Sequence, residues 1–287
     1  MKHLNKTIIA PALLASLLLQ SNSASAQDAL TTSDNPAAEA HATINRPTLT
    51  AEKRDWQLTA GGGLLVRPTY EGSDRYSLLP LPIINATYND MISIGIGGVS
   101  AYWHDGPMRL GAGLTYHGGR KDHKSGAFVS RGDDRLIGMG NIRASLGARA
   151  FGSYTASHIT FKASATKFTG SDNRGLLIDA GLSMPRLVGR RLILKPHLNA
   201  TWADSNYMQT FFGVSAAQAI ASRFTAFRAK AGLKDVRIGI DANYRLDRHW
   251  FLGINADYKR LTGDAARSPL TFAKSQFKVM TLAGYRF

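Results

Sequence analysis

The chain of 287 residues has no cysteine. Neither a disulfide framework nor a thiolate metal site can therefore hold it together. Past residue 19 it also lacks any uncharged apolar run approaching the roughly 20 residues that a transmembrane helix needs. A helical membrane protein is thereby excluded. Acidic residues are scarce: 20 Asp and Glu stand against 35 Lys and Arg, a formal net charge of +15. Such a surface calls for anionic neighbours. The hydrophobic content of 44 % with a mean hydropathy of −0.16 suits soluble and β-barrel chains alike, so composition does not decide the class.

The one apolar run stands at the N-terminus. Lys2 and Lys6 precede the uncharged stretch Ile8–Leu19, and Ala24-Ser25-Ala26 is a small-residue cleavage pattern. These features predict an export leader over 1–26, cut between Ala26 and Gln27. Removing it takes away two lysines and leaves a net charge of +13. An exported chain does not normally meet nucleic acid, so its anionic neighbours would be lipopolysaccharide phosphates or acidic periplasmic proteins. Residues 27–55 are polar, rich in Ala, Thr, Asp and Asn, and without a period. They read as a flexible periplasmic segment.

From Trp56 onward short segments alternate in polarity, separated by turn residues every 10–15 positions. In 250–258 one face carries Trp250, Leu252, Ile254, Ala256 and Tyr258, and the other Phe251, Gly253, Asn255 and Asp257. Side chains alternate across a strand, so one face is apolar and has an aromatic at each end. Segments 236–244 and 192–202 repeat the pattern. Alternation alone fits both a soluble sandwich, with its apolar face inside, and a membrane barrel, with that face in lipid. The leader, the end-of-strand aromatics and the terminal Tyr285-Arg286-Phe287 favour the barrel. Tyr285 and Phe287 resemble the carboxy-terminal insertion signal of outer-membrane proteins. The expectation is an all-β, transmembrane, antiparallel up-and-down barrel over 56–287.

Twelve strands are expected: 56–67, 78–88, 92–103, 108–117, 136–150, 158–168, 176–185, 191–202, 207–213, 228–244, 250–261 and 276–287. The number falls to ten if two short segments are misread. This count places the long basic stretch 118–135 after an even-numbered strand, where short periplasmic turns belong. Either the count is off and the loop is extracellular, or it is a periplasmic loop suited to contacting a partner through Arg120, Lys121, Lys124, Arg131 and Arg135.

Several stretches carry a family resemblance: Arg67-Pro68-Thr69-Tyr70-Glu71-Gly72-Ser73-Asp74; Phe211-Phe212-Gly213-Val214-Ser215 with Ala231-Gly232-Leu233-Lys234-Asp235; Leu261-Thr262-Gly263-Asp264-Ala265-Ala266 with Ser268-Pro269; and the terminal Tyr285-Arg286-Phe287. In order and spacing they resemble the MipA/OmpV family of outer-membrane proteins. The resemblance implies an outer-membrane barrel without catalytic residues or a cofactor. For the family's namesake it implies a scaffold that joins a lytic transglycosylase to a murein synthase.

The remaining motifs are weak. Ser215 lacks the second glycine of a nucleophile elbow and reads as a loop serine. The histidines are scattered, without metal-ligand spacing. Arg131-Gly132-Asp133 matches an adhesion tripeptide but reads as a solvated turn. Asp74, Asp264 and Ser268-Pro269 would share one rim, where loop packing is the favoured role over a ligand site. The inward-facing set Arg143, Arg149, Lys162, Lys195, Arg237, Asp241, Asp257 and Lys259 either fills a closed lumen with paired charges or lines a narrow channel for small anionic solutes, the former being favoured.

Overall fold

The computed structural model describes residues 56–124, 132–170 and 174–287. The leader with Ala24, Ala26 and Gln27, the segment 27–55 and Arg131 lie outside the described residues. One antiparallel sheet contains β1 (Trp56–Pro68), β2 (Tyr76–Tyr88), β3 (Ile92–Gly95), β4 (Gly98–Asp105), β5 (Met108–His117), β6 (Ser145–Ala156), β7 (Ile159–Thr169), β8 (Arg174–Ser183), β9 (Arg186–Val188), β10 (Leu192–Ala203), β11 (Gly232–Arg245), β12 (Trp250–Leu261) and β13 (Ser275–Arg286). The strands β8 and β9 follow one another along β10, parted at Met184 and Pro185. The wall therefore has 12 strands. Pairing of β13 with β1 and of β10 with β11 closes it.

The expected number is met through two compensating errors. Segment 92–103 is a hairpin, β3 and β4, turning at Ile96-Gly97. Segment 207–213 belongs to a helix, α1 (Ser205–Phe212), followed by α2 (Ala216–Ala221). The buried Tyr207, Met208, Phe211 and Phe212 recur with a helical period, and Asp204 caps the first turn by accepting from the Tyr207 amide at 2.8 Å. Likewise 136–150 is not one strand. A 3₁₀ turn at Asp134–Leu136 precedes β6, which starts only at Ser145. A third helix, α3 (Gly263–Arg267), lies between β12 and β13.

The added strand fixes which rim each loop occupies. Trp56 pairs with Tyr88, and Arg286 pairs with Thr59, so both ends of the wall share one rim. That rim carries the short turns 89–91, 106–107, 157–158, 189–191 and 246–249. Asn89 and Asp90, with φ of 46° and 51°, are the central residues of a turn closed by the Met91 amide donating to the Tyr88 carbonyl at 2.9 Å, positions that suit their residue types. The long connections 69–75, 118–144, 204–231 and 262–274 all lie on the opposite rim. In outer-membrane barrels short turns are periplasmic and long loops extracellular. The basic stretch 118–135 follows the fifth strand, on the long-loop rim that this rule makes extracellular, which favours the first of its two readings, a strand count that is off.

Polarity along the wall is that of a membrane barrel. On β12 the exposed Trp250, Leu252 and Ile254 alternate with the buried Phe251, Asn255, Asp257 and Lys259. Ile238 and Ile240 on β11 are exposed in the same way, and Arg237, Asp241 and Asn243 are buried. Aromatics mark both edges of the apolar band: Trp56, Trp103, Tyr154 and Trp250 toward the turn rim, and Tyr76, Tyr116, Trp202 and Phe277 toward the loop rim. Such girdles sit at the two membrane interfaces.

One stretch of wall is low. The hairpin β3–β4 pairs with only the last four residues of β2, 85–88. Along 76–84, β2 has a partner only in β1 among the described residues. Pro80 and Pro82 stand there, opposite Leu64 and Gly62. Proline cannot donate, so these are non-hydrogen-bonded pairs and both nitrogens face the open edge. Removing two donors blunts the edge against pairing with another chain.

If the exposed face meets lipid, a charge there destabilises the barrel. Ile240→Arg, near mid-wall, is expected to cost about 2–4 kcal/mol, measured by urea unfolding in phospholipid vesicles. An unchanged midpoint would place that face in water.

Candidate functional site: the lumen and its loop cap

Alternation on β10–β13 turns a set of charged side chains inward, where they pair. Lys195 lies 3.0 Å from Asp241, which also accepts from Asn255 at 2.9 Å. His197 lies 2.8 Å from Asp257, and Lys278 contacts the other oxygen of Asp257 at 2.8 Å. Across the lumen Arg149 donates to Ser164 at 2.8 Å, and Thr201 donates to Asp179 at 2.9 Å. Arg237 and Lys259 are buried in the same interior, and Lys162 is half-buried. Arg143 is the exception: it precedes β6 and is exposed. Its inward assignment rested on reading 136–150 as one strand.

A second cluster stands where this lumen meets the loops. Glu71, from the loop after β1, accepts from Lys259 at 2.6 Å and from Lys234 at 2.7 Å. Lys234 is fully buried and also lies 3.0 Å from Asp235. Strict alternation would turn one of these two neighbours outward. A β-bulge prevents it: Thr201 pairs with Asp235 but Trp202 pairs with Leu233, leaving Lys234 as the extra residue. Alternation along the sequence cannot reveal a bulge, so Lys234 is absent from the expected inward set. Lys278 sits on the inner face of β13 and was legible by the same alternation that found Lys259.

Above this cluster the loops pack into a cap. One apolar group joins Phe168, Leu177, Tyr207, Met208, Phe211 and Phe212 to Leu261 and Ala265. Another joins Tyr70, Leu136, Met139, Val214, Phe224 and Leu270, drawn from four loops. Polar contacts lock the same loops. The Tyr70 hydroxyl donates to the Leu270 carbonyl at 3.1 Å, and Ser268 Oγ donates to the Phe212 carbonyl at 2.6 Å. The Gly72 carbonyl accepts from the amides of both Phe272 and Ala273. Gly72 has φ of +96°, and a Cβ there would lie 2.8 Å from Thr271 Oγ1, so both conformation and space demand glycine. Burial first, then the nearby Asp133 carboxylate, raises the Tyr70 phenol above its usual range, so it stays a neutral donor.

The cap engages two of the five cations expected to contact a partner, Arg120 and Arg135. Arg120 is buried and donates to the Phe211 carbonyl at 2.9 Å; burial lowers its guanidinium to about 10, still charged at neutral pH. Arg135 pairs with Asp74 and lies over the Phe272 ring. Asp133 is buried too, accepting from Arg75 at 2.9 Å and from Thr69 at 3.1 Å. Gly132 and Asp133 of the adhesion-like tripeptide are thus buried and not solvated. Lys121 and Lys124 are exposed, on the loop rim. Ser215 caps α2 by accepting from the Gln218 amide at 3.2 Å, with Gln218 Oε1 accepting in return from the Ser215 amide. That Ser-x-x-Gln capping box was readable from the sequence. At the opposite rim Tyr285 pairs with Ala60 and Trp250, and the Phe287 amide donates to the Leu58 carbonyl at 3.0 Å. Among the described residues no three His, Asp or Glu side chains are grouped to hold a metal ion.

The family model described as MltA-interacting protein MipA matches residues 60–287. The chain belongs to the MipA family. No curated protein matches it. Among solved structures, this MipA-family barrel is similar to OmpT of Vibrio cholerae, at 9 % identity and a TM-score of 0.36, over 83 % of this chain and 99 % of that one. It is similar also to OprB of Pseudomonas putida, at 10 % identity and a TM-score of 0.36, over 72 % and 59 %. A third similar structure is a bacterial polysaccharide outer membrane secretin, at 10 % and 0.38, over 83 % and 100 %. The MipA-family chain is an outer-membrane β-barrel protein.

Two measurements probe the lumen and cap of this MipA-family barrel. Glu71→Gln leaves Lys234 and Lys259 facing one another without their shared carboxylate, and is expected to lower stability by about 3 kcal/mol, read from urea unfolding. Asp264 accepts from the Lys230 amide at 2.8 Å and pairs with Arg267, which holds its carboxyl below the usual range. A depressed carboxyl stabilises the fold above its unfolded pKa of about 3.9, and that contribution fades as pH falls through the folded value. The stability difference between the native chain and Asp264→Asn should therefore be constant from pH 5 to 8 and shrink below about pH 4.

Proposed function

We propose that this barrel anchors a scaffold for murein-remodelling enzymes in the outer membrane, with a lytic transglycosylase as its first partner and a murein synthase as a second. The observation that carries the reading is the MltA-interacting family match across 60–287. The barrel needs no catalysis for this role. Its outer surface would contact lipid and lipopolysaccharide, and its turn rim would present the binding surface to the periplasm.

With residues 118–124 and 132–144 on the rim of the long connections, this reading puts the contact surface on the turn rim in place of the basic loop. Arg186, Arg190, Arg191 and Arg248 are exposed there, and Arg245 is half-buried beside them. The turns that bear them are adjacent because β10 pairs with β11, and Arg245 donates to the Arg190 carbonyl at 3.2 Å. Asp247 is the acid among them, and it is engaged by the amides of His249 and Trp250 at 2.7 Å. A patch with this surplus suits an acidic protein surface. In a pull-down from envelope extract, Arg190→Glu with Arg248→Glu should reduce transglycosylase recovery several-fold. Lys121→Glu with Lys124→Glu, on the other rim, should leave it unchanged. No enrichment over an unrelated barrel would sink the scaffold reading itself.

The competing reading, a channel for small anions, draws on the inward Lys and Arg. The pairing of those charges and the packed cap oppose a continuous path. Planar-bilayer recordings are expected to give no discrete, anion-selective conductance; steps with anion preference would favour the channel.

A further inference from the structure

The helix α1 buries one side in the cap and turns another to solvent. Tyr207, Met208, Phe211 and Phe212 pack among the loops, while Ser205, Asn206 and Gln209 line an open cleft of about 630 Å³. Residues 214–216 and 226–229, the latter leading into β11, supply the rest of the lining. Backbone contacts fix these segments against one another. The Val214 and Phe227 amides each donate to the other's carbonyl at 2.8 Å, and the Ala229 amide donates to Gln209 Oε1 at 3.0 Å. Ala216, Ala226 and Ala229 put only methyl groups into the lining, which keeps the space open. Such a volume is ordinary for a small-ligand site, roughly 300–1,000 Å³.

What the lining still has to offer is mostly hydrogen-bond donors. Gln209 has engaged its oxygen with the Ala229 amide, which fixes the carboxamide and leaves the two Nε2 hydrogens. Ser215 Oγ already accepts from the Gln218 amide at 3.2 Å, which leaves its hydroxyl hydrogen to give. Arg228 is exposed, and among the described residues its guanidinium has neither an ion pair nor a hydrogen bond. The Ser205 and Asn206 side chains are unengaged in the same sense, and they add a hydroxyl and a carboxamide. The acids that adjoin these segments are committed. Asp204 caps α1 and lies 3.7 Å from Lys167, and Asp264 holds the Lys230 amide and Arg267. A ligand for this cleft must therefore bring many acceptors and a negative charge. An acidic saccharide does both. Its hydroxyl and ring oxygens accept from the amides, its carboxylate or phosphate suits the Arg228 fork, and the half-buried Phe227 offers an apolar surface to a sugar ring.

Height above the membrane selects the source of that sugar. Trp202, in the loop-side aromatic girdle, stands three residues before Ser205, at most about 10 Å of chain. The cleft thus lies just outside the outer leaflet, in the layer of its saccharide headgroups. We propose that it binds the acidic core sugars of lipopolysaccharide. The inference rests on the extracellular placement of the loop rim and gives the lipopolysaccharide contact of the outer surface a defined site. It is separate from the scaffold reading, whose surface is the turn rim, so a failed pull-down leaves it untouched.

The test uses the full chain in nanodiscs and three probes: rough lipopolysaccharide, which carries the core sugars, lipid A without them, and the free core oligosaccharide. Rough lipopolysaccharide should bind saturably, at least tenfold more tightly than lipid A, and the free oligosaccharide should displace it. Three substitutions should each weaken that binding at least tenfold. Gln209→Glu keeps an acceptor for the Ala229 amide and puts negative charge where the donors were. Arg228→Glu reverses the cation of the lining, and Ala226→Trp fills the cleft. Heat-modifiable electrophoretic mobility reports that each variant is folded. Lys121→Glu with Lys124→Glu, on the same rim but outside the lining, should leave binding unchanged; an equal loss there would reduce the effect to overall charge and overturn the proposal. Equal affinity for lipid A overturns it, as does binding that survives all three substitutions. Oligosaccharide binding without retention of the glycolipid overturns its assignment to the leaflet.

Discussion

The backbone hydrogen bonds that join β13 to β1 are the constraint on which the rest depends. In hydrocarbon every unpaired N–H or C=O costs several kcal/mol, so a sheet can cross a bilayer only by leaving no edge. Closure brings the first strand of the wall against the last, more than 200 residues apart, and the local chemistry is suited to that approach. Gly61 and Gly63 of β1 point inward at the seam. A Cβ at Gly61 would lie 2.2 Å from the Ala283 carbonyl oxygen, and one at Gly63 would lie 2.4 Å from that of Thr281. Side chains there would force the two strands apart. Where pairing does lapse, at the top of the seam and along 76–84 of β2, proline occupies the position and removes the donor that would otherwise be stranded.

Closure also sorts the side chains. Once the wall is a cylinder in lipid, each strand has a wet and a greasy face, and alternation becomes a requirement. Segments 192–202, 236–244 and 250–258 were therefore fully legible, down to which residues face inward. Legibility failed where that requirement lapses. The helix α1 lies in the cap, outside the membrane, and its Tyr207, Met208, Phe211 and Phe212 answer to packing among loops. The hairpin β3–β4 is short enough that its turn, Ile96-Gly97, lies within what looks like one apolar segment. The two misreadings cancel in number and not in direction. Between them they reverse every strand from 108 to 202, which is why the loop 118–135 seemed to follow an even-numbered strand. Evenness of the strand count is thus a weak check, since any two errors of opposite sense preserve it. The length of each connection is a better one, and here the long basic loop had already signalled the fault.

The lumen shows what sequence patterns can and cannot supply about a site. Alternation gives the inner face, and so Arg149, Lys195, Arg237, Asp241, Asp257 and Lys259. It gives no partners, because Lys195 meets Asp241 across a strand pair and His197 meets Asp257 across two. It cannot give Glu71, which descends from a loop, or Lys234, which a bulge turns inward. Those two with Lys259 form the contact between wall and cap. The buried ionic groups are weak contributors to net stability, because desolvation offsets most of their attraction. Their consequence is specificity of arrangement. Glu71 can meet both lysines in only one placement of the loop after β1, and that loop in turn holds Phe272 and Ala273 through the Gly72 carbonyl.

The two ends of the molecule therefore face different physical tasks. At the loop rim Arg120, Arg135 and Asp133 bind loops to one another, while Lys121, Lys124, Arg223 and Arg228 stay exposed. At the turn rim the connections are too short to pack into a cap, and the arginines of adjacent turns stay exposed. A basic composition spread over the whole chain thus leaves exposed cations on both rims, with a structural subset buried in the lumen and the cap. The placement of these cations, more than the total of +15, sets the charge that each rim presents. It follows from strand parity alone, since each additional strand moves a connection from one rim to the other.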